Sequence, residues 1–147
     1  MKLIELPALP IAFLRRTGPY GPENRALVER LKRLARDADL LDAGSVIFCA
    51  AWDDPACTPP EACRYDACLV LRLAARLPDT RSGYLPDGRY VCFTVPHTPE
   101  ALSEIYGTAV RTVGCCGLSA DPSRPMLEAY PLSLVQRGRC QFYVPVL

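Results

Sequence analysis

Two stretches of the chain carry apolar residues at three- and four-residue steps, the period of a half-buried helix. In the first, Leu27, Leu31, Leu34, Ala38 and Leu41 make one stripe, and Arg25, Glu29, Lys32, Arg33 and Arg36 fall on the remaining surface as a solvated face. Pro22, after Gly21, suits a first helical position, so a helix is predicted from about Pro22 to Leu40. In the second, Leu102, Ile105, Tyr106, Ala109, Val110 and Val113 form the apolar face. Thr98 is a good N-cap, Pro99 a good first residue and Glu100 complements the dipole, which predicts a helix from about Pro99 to Val113. Gly114 and Gly117 follow as stops.

Elsewhere the pattern is that of strands. Candidates cover about Lys2 to Arg16 (interrupted at Pro7 and Pro10), Ser45 to Trp52, Arg64 to Arg76, Arg89 to Val95, Met126 to Tyr130 and Arg139 to Val146. In the third, Tyr65, Ala67, Leu69, Leu71 and Leu73 alternate with Arg64, Asp66, Cys68, Val70 and Arg72. Turn residues separate the strands: Asp53-Asp54-Pro55, Thr58-Pro59-Pro60, Leu85-Pro86-Asp87-Gly88 and Asp121-Pro122-Ser123. The element order is then strand–helix–strand–strand, twice, with pseudo-repeats at about 1–76 and 85–147 of a single domain, 1–147. Such a unit cannot cover its own sheet. Two side by side share one antiparallel sheet with both helices on one face, an α+β fold, and leave a groove at the seam between the units.

Composition narrows the function. Seventeen Lys and Arg against sixteen Asp and Glu leave a net charge of +1, so there is no basic excess for nucleic-acid phosphates. Val46 to Trp52 is the longest apolar run, and a membrane span needs about twenty residues. The N-terminal apolar stretch is not a secretory signal, because Glu5, Pro7 and Pro10 interrupt it and Arg15-Arg16 closes it. The eight cysteines are therefore read as thiols of a reducing cytoplasm. Cys49, Cys68 and Cys92 sit in apolar runs as small hydrophobes. Cys57, Cys63 and Cys68 lack zinc-knuckle spacing, and vicinal Cys115-Cys116 reads as loop, so neither metal nor cofactor is expected. His97, the lone histidine, reads as a turn residue.

The stretch Asp53-Asp54-Pro55, Thr58-Pro59-Pro60-Glu61 and Arg64-Tyr65-Asp66 resembles the DDP…TPPE…RYD signature of the GyrI-like small-molecule-binding domains, also called bacterial transcription-activator effector-binding domains. Gly18-Pro19-Tyr20 is similar to that family's turn after its first strand. Pro86-Asp87-Gly88-Arg89-Tyr90, Glu128-Ala129-Tyr130 and the closing Phe142-Tyr143-Val144-Pro145-Val146 are similar to its later strands. The resemblance runs along the whole chain and implies a duplicated fold around a central groove that takes lipophilic, often cationic, small molecules.

It further implies that Glu128, matching the glutamate of the family's E-x-Y strand, meets the ligand's charge. A carboxylate and a cation about 4 Å apart attract by roughly 4 kcal/mol at an effective dielectric near 20. Aromatic faces add about 0.5–2 kcal/mol each. Tyr143, Tyr106, Trp52, Tyr130 and Tyr20 follow by position as the aromatic members of the site. From the residues alone each has a structural alternative: Glu128 an exposed strand residue paired with an Arg such as Arg139, the aromatics core or turn packing. Where many family members carry Trp-Leu-Pro after the second helix, this chain has Thr112 to Gly117. No helix-turn-helix precedes the domain, so a free-standing binding module is expected. Two other readings stand beside it. One is hydrolysis of electrophilic cyclopropane-type compounds with Glu128 as acid or base; the other is a protein partner such as DNA gyrase.

Overall fold

The computed structural model describes residues 1–72 and 75–147. The chain forms β1 (Lys2–Leu6), β2 (Leu9–Thr17), α1 (Glu23–Asp37), β3 (Val46–Ala51) and β4 (Arg64–Val70). It continues with β5 (Arg81–Leu85), β6 (Gly88–Pro96), α2 (Pro99–Cys115), β7 (Met126–Pro131), the short α3 (Leu132–Val135) and β8 (Arg139–Pro145). α2 starts where the sequence places it: the Thr98 hydroxyl accepts the Ala101 N–H at 3.2 Å. α1 stops at Asp37, short of Leu40, because Asp39 turns left-handed at φ 57°.

Each half gains a strand that the periodicity did not resolve. The stretch 2–16 is two strands, split at Pro7-Ala8, and 81–85 is a strand of its own, with Pro86-Asp87 as the turn to β6. Residues 2–70 then read strand, strand, helix, strand, strand, and residues 81–145 follow the same order with the short α3 added between the last two strands. β4 ends at Val70, before the expected Arg76, and the alternation at Leu73 lies outside the described residues.

All eight strands join one antiparallel sheet in the order β1-β6-β8-β7-β3-β4-β2-β5. This order cannot be flat. β1 and β2 are six strand intervals apart, about 29 Å in a flat sheet. Leu6 and Leu9 are only three residues apart, and three residues reach about 11 Å at most. Leu85 and Gly88 impose the same limit on β5 and β6. The sheet must curl until its edges approach each other. Inside the curl lies a cluster that draws on both edge strands: Ile4 and Leu6 of β1 and Leu85 of β5 pack with Phe48, Leu127 and Tyr143.

The outer face carries both helices. α1 lays Leu31 and Ala35 on β2, β3 and β4 beside Ala12, Leu14 and Ala67; α2 lays Ala109 and Val113 on β6 and β8 beside Val91, Phe142 and Val144. Strands buried on both sides have no polar face, which is why Asp66 and Cys68 of β4 are as buried as Tyr65, Ala67 and Leu69. Between α1 and α2 the outer face of the seam strands β3 and β7 is left for the site.

Candidate functional site

Glu128 stands on the outer face of β7, directly opposite Cys49 of β3. It is 7% exposed. The expected alternative, an exposed residue paired with Arg139, does not occur; Arg139 donates to the Thr94 carbonyl instead, at 3.1 Å. Three tyrosine hydroxyls donate to the carboxylate. Tyr106 of α2 reaches Oε1 at 2.6 Å, while Tyr65 of β4, at 3.4 Å, and Tyr130 both reach Oε2. Among the described residues no Lys or Arg forms an ion pair with Glu128. Burial raises its pKa above the ordinary carboxylate value, and the three hydroxyls work in the opposite direction. The same desolvation raises the pKa of each tyrosine, so all three remain donors.

A cavity of about 800 Å³ opens in front of this group. Its α2 wall is Ser103, Tyr106, Gly107 and Val110; Met126 and Glu128 come from β7, and Val144 and Pro145 from β8. The opposite wall is Tyr20, Trp52 and Tyr65. Tyr20 is fixed by donating to the Arg64 carbonyl at 2.6 Å and accepting the Asp53 N–H at 3.2 Å, with its ring edge-on to Tyr65 at 5.9 Å. Burial pushes its pKa up to about 12. The Trp52 indole N–H donates to Asp66 at 2.8 Å, and the Arg64 guanidinium lies 5.7 Å from the ring centroid. Asp66 in turn is held by a two-pronged contact from Arg15, at 2.7 and 2.8 Å.

Other charged groups reach the cavity, but most are engaged. Asp53 accepts two bonds from the Arg64 guanidinium, which lower its pKa. Asp121 takes Ser123 and Arg124 and is held down at about 2. Arg124 spends its remaining donors on the carbonyls of Asp87, Arg89 and Val146 and lies over the Tyr90 ring. Asp54 lies exposed and accepts the Ala56 N–H. Glu128 is thus the buried acid of the cavity without a cationic partner among the described residues.

The chain and its fold have counterparts in known proteins. Residues 1–130 match the GyrI-like small molecule binding domain. The SPbeta prophage-derived candidate transcriptional regulator YosT of Bacillus subtilis (strain 168) is 35% identical over 144 residues, covering 97% of this chain and 95% of that one. This chain belongs to the GyrI-like family. The solved C-terminal domain of EcmrR superposes with a TM-score of 0.75 at 15% identity, over 99% of this chain and 96% of that one. SAV2435, solved bound to tetraphenylphosphonium, superposes with a TM-score of 0.68 at 16% identity, over 99% and 93%.

Five of the residues singled out from the sequence converge on this cavity or its carboxylate. Glu128, Tyr106, Trp52 and Tyr20 line the cavity, and Tyr130 supplies a hydroxyl while its ring packs on His97 at 5.1 Å. Tyr143 does not join them. The β7–β8 register sets Phe142 opposite Glu128 and Tyr143 opposite Leu127, so Tyr143 points into the curl, against Phe48 and Tyr90. Its neighbour Phe142 serves the site from behind by holding the Tyr106 ring edge-on at 4.7 Å. Tyr65, part of the strand alternation and of the Arg64-Tyr65-Asp66 motif but not among the expected site residues, is the third hydroxyl. Its signal was present: it alternates with Ala67 and Leu69 toward α1, on the face that β3 and β7 share with Glu128. Cys115 and Cys116 end α2 in the open and take no part in the cavity. No group of three or more His, Cys, Asp or Glu suited to a metal occurs among the described residues, and no helix is long and apolar enough to cross a membrane.

Proposed function

We propose that this protein captures lipophilic cations in the cavity between its two halves, with Glu128 as the charge anchor and Tyr20, Trp52, Tyr65 and Tyr106 as walls. One observation carries the reading: a buried carboxylate that receives three neutral hydroxyls and no ion-paired Lys or Arg faces a cavity of about 800 Å³. Neutral donors solvate the charge without cancelling it, so the field of the carboxylate extends into the cavity. Aromatic walls then favour a cation that is itself weakly hydrated. The volume is within the range of about 300–1,000 Å³ usual for drug-sized ligands. The phosphonium cation bound by the structural neighbour SAV2435 is of this kind.

The test is calorimetric titration of the wild type with tetraphenylphosphonium and with triphenylphosphine oxide, similar in its aryl groups and uncharged. The cation is expected to bind at least tenfold more tightly. Equal affinities would remove the charge-anchor role, and binding of neither would overturn the reading as a whole.

A further inference from the structure

We infer that Gly107 sets the upper size limit of the cavity, so that cations with bulky aryl arms are admitted as well as compact ones; this rests on the binding function proposed above. Gly107 lies midway along α2 with no positive φ, a position where glycine is the least favourable residue after proline. Nothing in the fold asks for it there. At Gly88 an added Cβ would lie 2.7 Å from Arg124, and at Gly83 it would lie 3.1 Å from the Phe13 ring, so those glycines are explained by close approach. At Gly107 an added Cβ meets nothing within 4 Å. Neither backbone conformation nor packing accounts for it; the same holds for Gly114 in the last turn of α2, and what sets Gly107 apart is its place in the cavity wall.

What surrounds Gly107 does. Ser103, four residues before it, and Val110, three after, lie on the same helical stripe, and all three line the cavity. Any side chain at position 107 would project from this stripe into the open space. The preceding residue, Tyr106, carries the hydroxyl that holds Glu128. A substitution at 107 therefore narrows the space for a ligand's arms while leaving the anchoring group in place. Gly107 thus acts as a specificity determinant through the volume it leaves empty beside the anchor.

The experiment compares wild type, Gly107→Ala and Gly107→Leu. Each is titrated with tetraphenylphosphonium and with compact phenyltrimethylammonium, followed by fluorescence of Trp52, the only tryptophan in the chain. Melting temperatures are measured without ligand. Both variants are expected to melt at or above the wild-type temperature, because helix propensity improves. Tetraphenylphosphonium affinity should fall about threefold in Gly107→Ala and thirtyfold or more in Gly107→Leu, with phenyltrimethylammonium within twofold of wild type. Equal retention of both cations, or equal loss of both, overturns the size-limit role. If Gly107→Leu melts well below wild type, the Gly107→Ala pair of affinities decides. Wild type binding neither cation overturns the binding reading itself and this inference with it; wild-type binding with no size-dependent loss sinks only the role of Gly107.

Discussion

Replacing Glu128 by Gln keeps the shape of the site and removes its charge. For a phosphonium whose centre is kept about 6 Å from the carboxylate by its aryl arms, the attraction at an effective dielectric near 20 is about 2.8 kcal/mol, roughly a hundredfold in Kd. The same substitution should make the ligand-free protein more stable at neutral pH. Burial raises the folded-state pKa of Glu128, so the folded chain holds that proton more tightly than the unfolded chain. Wild-type stability therefore declines as pH rises from the unfolded carboxylate value through the folded one, and the Gln variant escapes this decline. The two effects point in opposite directions, which separates them from simple damage. The assay pairs Trp52 fluorescence titrations of tetraphenylphosphonium with urea denaturation at pH 7 and at pH 4. The expected result is a Kd weaker by about two orders of magnitude together with a stability gain that shrinks toward pH 4. Unchanged affinity refutes the charge-anchor argument; lost stability at pH 7 refutes the claim that burial dominates the three hydroxyl bonds.

Three further outcomes follow from named contacts. Tyr106→Phe removes a hydroxyl that favours ionised Glu128, so the loss of cation affinity on acidification should begin at higher pH than in wild type; pH-dependent Kd measurements that superpose would contradict this. Asp66→Ala leaves the Arg15 guanidinium and the Trp52 indole N–H without their shared acceptor and should cost about 3 kcal/mol in chemical denaturation, with a shift in the Trp52 emission maximum. Gly88→Ala forces a side chain onto a backbone at φ 120° and against Arg124, and should lower Tm by several degrees, consistent with a cost above about 1 kcal/mol for a chain of this length.

The helices were legible because capping chemistry and the 3.6-residue period act locally: Thr98-Pro99-Glu100 specifies the start of α2 without help from the rest of the chain. β5 was not. Arg81-Ser82-Gly83-Tyr84-Leu85 puts one residue, Leu85, into the core, and the segment is a strand because β2 supplies hydrogen-bond partners from Leu9 to Phe13. The same distinction divides the site. Glu128 and Tyr130 lie two apart on one strand, so period two puts them on one face whatever the fold. Tyr143 lies on the strand beside Glu128, as its position implies, but which face it takes depends on the register between β7 and β8, and a shift of one residue exchanges it with Phe142. Tyr65 shows the converse: its alternation was read correctly, but that its face carries the site follows only from the way β3 joins β4 to β7.

The pairing of β1 with β6 and of β5 with β2 means that each half lends its first strand to the other. Pulling the halves apart at the β3–β7 seam would also have to strip both borrowed strands, so the seam has no low-energy hinge. The floor that carries Glu128 should accordingly be the slowest part of the molecule to exchange its amide hydrogens, with β3 and β7 opening only in global unfolding. In the binding function proposed above, a floor that cannot open would hold the carboxylate at one fixed depth beneath every ligand.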